Sequence, residues 1–162
     1  MELIIVMTII STLSVMVLPV FNSAFRRVTR DNGFDDFVAT LKHAQACAIT
    51  SSLEHRVYID LKKNAYWLER FDKIDAGKKV FKPVLDRIAE RRPLPSGLTF
   101  EKDRLKALKD DTGRYYLSFY PSGARDAGRV SMRIAGRQFT RYEVSMEGRI
   151  AGFEIKRPRD ER

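Results

Sequence analysis

Apolar and polar positions divide the chain into three regimes. From Leu3 to Phe25 there are 23 uncharged residues, and the apolar ones fall at every angle around a helix axis. Such a segment must be buried on all sides. As a helix it would span about 35 Å, enough to cross the core of a bilayer. From Phe34 the spacing changes: Phe34, Phe37, Val38, Leu41, Ala44, Gln45 and Ala48 recur at i, i+3, i+4, i+7, with Asp35, Asp36 and Lys42 on the other side. That spacing predicts an amphipathic helix. One helix over about 3–52 is expected, bent at Pro19 and weakened at Gly33 in "DNG".

After residue 55 the period shortens to two. "HRVYIDLKKNAYWLERF" reads as a hairpin with Val57 and Ile59 on one face, a "KKN" turn, then Tyr66 and Leu68. "GLTFEKD", "RYYLSFY", "GRVSMRI", "FTRYEVSM" and "GRIAGFEIK" follow, parted by turn-rich stretches. Residues 72–97 are less regular: "VLDRIAERR" suits a helical turn and "RPLPSG" a loop. Six or seven short strands on one helix predict an α+β fold with a largely antiparallel sheet. The expected divisions are a transmembrane helix over 1–25, its amphipathic continuation over 26–52, and a β-rich head over 53–162.

The chain's 162 residues suffice for one such head and its helix. Net charge is +9, unevenly placed: +2 over residues 1–81 and +7 over 82–162. An excess of that size suits an acidic partner, nucleic acid or anionic lipid, but with signs mixed throughout the first reading is a plain solvated surface. The single cysteine, Cys47, rules out an internal disulfide and sits among alanines as a small buried residue would. His43 and His55 lack partners at metal-ligand or triad spacing and read as packing or surface residues. There is no phosphate loop, dinucleotide fingerprint, zinc spacing or nucleophile elbow, so no catalysis, cofactor or metal is expected.

Three readings compete for the opening segment. A cleaved signal peptide needs a basic start, a short apolar core and small residues before the cut, whereas this chain starts with Glu2 and continues through "FNSAF". A single-pass anchor fits the length: twelve of residues 3–21 are Leu, Ile, Val or Phe. On the insertion scale these favour the membrane by roughly 4 to 7 kcal/mol. An anchor alone leaves Glu2 and Pro19 unexplained. The third reading accounts for both. The segment resembles the N-terminal helix of type IV pilin-like proteins, in which a glutamate is the fifth mature residue and a proline commonly follows seventeen positions later. Glu2 and Pro19 are seventeen apart.

In order along the chain, "LPSGLTF", "LSFYPSGARDAGRVSM" and "YEVSMEGRI" resemble the sheet motifs of H-type minor pseudopilins of type II secretion, the GspH/FimT class. "FVATLKHAQACAITSSLEHRVYI" resembles the end of that class's helix, with His43-Ala44 where an Ala-Arg pair is usual. The likeness excludes residues 72–92. It implies a structural subunit that assembles with other pilin-like proteins in a secretion pseudopilus or a type IV pilus tip. Glu2 would lie against a neighbour's N-terminal amine, and the apolar helix would serve as membrane anchor and filament core. It also implies a basic leader upstream of Met1, removed by a prepilin peptidase that methylates the new N-terminus; Met1 would be the fourth mature residue. Arg26, Arg27 and Arg30 alone would hold the head in the cytoplasm under the positive-inside rule. With the implied leader, the expectation is a single-pass inner-membrane protein with its head in the periplasm or exterior.

Arg125, Arg129, Arg133, Arg137 and Arg141 recur every four residues, and the tail reads "KRPRDER". In a strand Arg129 and Arg133 share a face opposite Val130, Met132 and Ile134, while Arg141 opposes Tyr142 and Val144. Arg129, Arg133, Arg141 and Arg157 are thus candidate phosphate contacts, and a DNA-binding minor pilin is the alternative function. A plain membrane-anchored domain is the third.

Overall fold

The computed structural model describes residues 2–136, 140–147 and 152–158, and of Glu2 and residues 13–24 the backbone alone. One helix, α1 (Glu2–Ser51), runs unbroken for 50 residues, about 75 Å. The strands follow as β1 (His55–Asp60), β2 (Ala65–Asp75), β3 (Lys78–Pro83), β4 (Arg92–Pro93), β5 (Leu98–Phe100), β6 (Leu108–Lys109), β7 (Tyr115–Phe119), β8 (Gly128–Ile134), β9 (Arg141–Met146) and β10 (Phe153–Lys156). A 3-10 turn, Lys102–Arg104, separates β5 from β6.

The expected sheet is two sheets. The first has the order β3-β2-β1-β7-β6, with β4 also paired to β2; the second has the order β10-β9-β8-β5. Among the described residues every ladder is antiparallel. Val57, Ile59, Tyr66, Leu68 and Leu117 from the first sheet, and Val130, Met132, Tyr142 and Val144 from the second, close over Phe34, Phe37, Leu41, Ala44 and Ala48 of α1. The helix thus lies under both sheets and joins them into one core.

The helix continues through Gly33 without a break. Gly33 is a close-approach point: a Cβ there would collide with the Pro95 ring, so its absence lets the 92–97 segment lie on the helix. The expected "RPLPSG" loop is partly strand, because β4 lies beside β2, Arg92 opposite Tyr66 and Pro93 opposite Ala65. "VLDRIAERR" forms a turn in which the Ala89 and Glu90 amides both donate to the Asp86 carbonyl. Gln45, on the apolar stripe, has polar partners: its amide donates to the Gly123 carbonyl at 3.0 Å and accepts from Arg125 at 3.3 Å.

Candidate assembly surface

The helix leaves the head near Asp31. There the Tyr142 hydroxyl donates to the Asp31 carboxylate, and the Tyr142 ring stacks on Phe34 at 4.9 Å. Burial and the neighbouring carboxylate push the Tyr142 phenol up to about 12. At the N-terminal end of the helix Leu3, Ile4, Ile5, Val6, Met7, Ile9 and Ile10 are all exposed, from 53 % at Val6 to 72 % at Leu3. Phe25 and Val28 are exposed as well. Removing such side chains from water gains on the order of 1–2 kcal/mol each. A contiguous apolar surface of this kind marks a partner or a membrane.

Two threonine hydroxyls within this stretch are internally satisfied. Thr8 donates to the Ile4 carbonyl at 2.8 Å and Thr12 to the Thr8 carbonyl at 2.7 Å. Neither needs water, so neither resists burial. Among the described residues, which exclude the side chains of 13–24, no helix is long and apolar enough to cross a membrane. The side chains of Glu2 and Pro19 lie outside the described residues.

The four candidate arginines sit on the second sheet and its tail, and carboxylates are interleaved with them. Arg129 lies 3.7 Å from Glu143, Arg141 lies 3.8 Å from Glu101, and Arg157 reaches Asp35 of α1 at 2.7 Å. Arg133 is exposed and lies opposite Arg141 across the β8–β9 ladder. The sequence period foretold the shared face of Arg129 and Arg133, but not the acids that come to it from β9 and Glu101. Arg137 lies outside the described residues. Arg125 departs from the row altogether. It is 2 % exposed, and its guanidinium donates to the carbonyls of Glu147 and Gly152 and stacks over Phe153 at 4.3 Å.

No protein-family model matches the chain, and no curated protein matches it in sequence. Solved structures do match. The minor pseudopilin EpsH from the Type 2 Secretion System of Vibrio cholerae aligns with a TM-score of 0.58 at 14 % identity, covering 80 % of this chain and 96 % of that one. A second structure of EpsH gives 0.59 and 15 % over the same shares. The type IV minor pilin FimU of Pseudomonas aeruginosa strain PAO1 gives 0.54 at 11 % identity, covering 81 % of this chain and 90 % of that one. The chain has a pilin-like fold.

Two further clusters in the pilin-like head escaped the sequence reading. His43 Nε2 lies 2.9 Å from Asp86 and 3.4 Å from the Cys47 sulfur. Both partners meet the same ring nitrogen, so the imidazole cannot relay a proton between them through opposite nitrogens, as a nucleophilic triad requires. Burial, then the Asp86 charge, pushes the Cys47 thiol up, away from thiolate. Cys47 is half-buried beside that histidine rather than fully buried. The cluster ties α1 to the 84–91 turn.

On the outer face of the first sheet, the Arg56 guanidinium lies 3.8 Å from the Phe81 ring centroid and 4.3 Å from that of Tyr116. Arg114 covers Tyr58 at 4.5 Å, and Tyr58 stacks on Trp67 at 5.6 Å. Arg56 also pairs with Glu54 at 2.9 Å, and Arg114 with Asp110 at 2.8 Å. A furrow of about 570 Å³ runs between them. Its aromatic faces are capped by the arginines, and those arginines are held by carboxylates, so the layer stabilises the sheet. Among the described residues no group of three or more His, Cys, Asp or Glu could hold a metal.

Proposed function

We propose that this chain is a structural, non-enzymatic minor subunit that assembles with other pilin-like proteins in a type II secretion pseudopilus or a type IV pilus tip. The observation that carries the reading is the apolar N-terminal part of α1, exposed on every side beside a pilin-like head. Before assembly this part anchors the chain in the inner membrane as a single pass, with the head on the periplasmic side or exterior; after assembly it lies in the filament core. Glu2 pairs with the N-terminal amine of a neighbour. An unpaired carboxylate in hydrocarbon costs several kcal/mol, so that pairing penalises wrong register. Nucleic-acid binding has less support, because Arg129, Arg141 and Arg157 each have a carboxylate nearby.

In-cell cross-linking tests this. A tagged chain recovered from membranes should cross-link to other pilin-like subunits, and Glu2→Ala should still insert but lose most of the cross-linked product. A wild-type chain that cross-links to none of them contradicts assembly. A Glu2→Ala chain that cross-links as well as wild type contradicts the role of Glu2.

A further inference from the structure

The strands fix which end of the head faces the emerging helix. β9 runs alongside α1 in the same direction. At its start Tyr142 meets Asp31 and Phe34; just past its end the Glu147 carbonyl shares Arg125 with Gln45. The two paths agree in length: five strand steps cover about 17 Å, and fourteen helical steps about 21 Å. Arg141 is one step below Tyr142, so it lies level with about residue 29 of the helix. Arg133 is its ladder partner. On the other flank of the same end, Gly97 lies against Arg30, and the Ala135 amide donates to the Gly97 carbonyl at 2.9 Å.

Arg133 and Arg141 therefore sit within about one helical turn of Arg26 and Arg27, where the helix leaves the uncharged segment. Arg26, Arg27 and Arg133 are exposed. Phe25 and Val28, exposed beside them, give this end an apolar fringe. Like charges directly opposite each other across a ladder are destabilising. On that face the described carboxylates are Glu101, 3.8 Å from Arg141, and Glu143, which is taken up by Arg129 at 3.7 Å and by the Ser131 hydroxyl at 3.2 Å. Asp31, 3.9 Å from Arg27, also accepts from Tyr142. Among the described residues Arg141 alone of the two has a carboxylate within 4 Å, on the side from which the apolar helix departs.

We propose that this end of the head docks on anionic phospholipid, with Arg26, Arg27, Arg133 and Arg141 meeting the phosphates and Phe25 and Val28 at the acyl boundary. The inference rests on the membrane-anchored reading of α1. Docking holds the head down on the bilayer, in one orientation, before the helix is drawn into a filament. An arginine at an anionic surface contributes roughly a fivefold factor, so removing two cuts the docked-to-free ratio roughly 25-fold.

The test uses the full chain reconstituted in vesicles. A fluorophore goes on Thr99→Cys, which lies opposite Arg133 in the β5–β8 ladder, in a Cys47→Ser background. Energy transfer to a headgroup-labelled lipid is read in phosphatidylcholine alone and with phosphatidylglycerol added. Transfer should rise with phosphatidylglycerol at low salt, and Arg133→Gln/Arg141→Gln or high salt should abolish the rise while circular dichroism stays native. Equal transfer in both lipids, or a rise that the double variant keeps, overturns docking. A short DNA duplex that shifts the wild type but not the double variant, with no lipid dependence, assigns the pair to nucleic acid and also overturns it. Flotation in high salt is the separate check. A chain that floats in both lipids but shows no lipid dependence leaves the anchor intact. A chain that floats in neither removes the anchor and the docking with it.

Discussion

The Pro95 ring lies against the Cα of Gly33 with no room for a methyl group between them. Helix propensity alone would make Gly33→Ala stabilising by up to about 1 kcal/mol. The contact reverses the sign, because a proline ring cannot turn aside. Gly33→Ala should destabilise the head by roughly 1–3 kcal/mol, the range for an overpacked site. Chemical denaturation of wild type and variant checks this, and a stabilised variant would refute the contact.

Arg125 is a buried cation held by backbone carbonyls rather than by an acid, and burial pulls its pKa down. Replacement by alanine strands the Glu147 and Gly152 carbonyls and removes the cover of Phe153. A loss of about 2–4 kcal/mol is expected. Replacement by lysine should recover little of it, since one ammonium cannot reach both carbonyls and Gln45 in the guanidinium's plane. Thermal melts of both variants decide this.

Burial holds the His55 imidazole below its usual pKa. The unfolded chain then binds more protons than the folded one as pH falls through about 6.5, so stability is lost on acidification from there downward. Melting temperature should fall between pH 7 and pH 5. A His55→Gln variant should show a shallower fall, and an unchanged slope would exclude His55 as a contributor.

Tyr66 and Tyr142 act at the other extreme, since burial raises both phenols to about 12. Between pH 10 and 12 the folded chain keeps protons that the unfolded chain releases, so stability falls as pH rises through 10. Tyr142→Phe should flatten that alkaline limb. At neutral pH the variant should lose roughly 1.5–3 kcal/mol with the hydrogen bond to the Asp31 carboxylate.

The division near residue 25 has its own consequence. The core begins at Phe34, and the exposed apolar side chains from Leu3 to Ile10 lie outside it. A chain lacking residues 1–25 should fold, melt within a few degrees of the full-length head and dissolve without detergent. Failure of the shortened chain to fold would contradict the division.

The elements visible in the sequence were those with one buried side. The stripe from Phe34 to Ala48 gave the helix, and alternation at Val57, Ile59, Val130, Met132, Tyr142 and Val144 gave its covering strands. β3 and the far half of β2 form a ribbon with no fully buried residue, so "KKVFKP" has no alternation to read. The split into two sheets was hidden because it depends on which distant strands pair. Partners brought in from far along the chain were hidden for the same reason: Asp86 to His43, Asp35 to Arg157, Glu101 to Arg141. The apolar end of the helix was legible at once, since a run of uncharged residues that is apolar on every side needs no tertiary information to be read.

The central claim is that α1 is the assembly helix of a pilin-like subunit, and the native N-terminus tests it most directly. A C-terminally tagged chromosomal copy would be purified from membranes with the prepilin peptidase present and absent, and its N-terminal peptide masses measured. The account predicts an N-methylated mature chain beginning three residues before Met1, formed only when the peptidase is present. A chain beginning at Met1 whatever the state of the peptidase would contradict it.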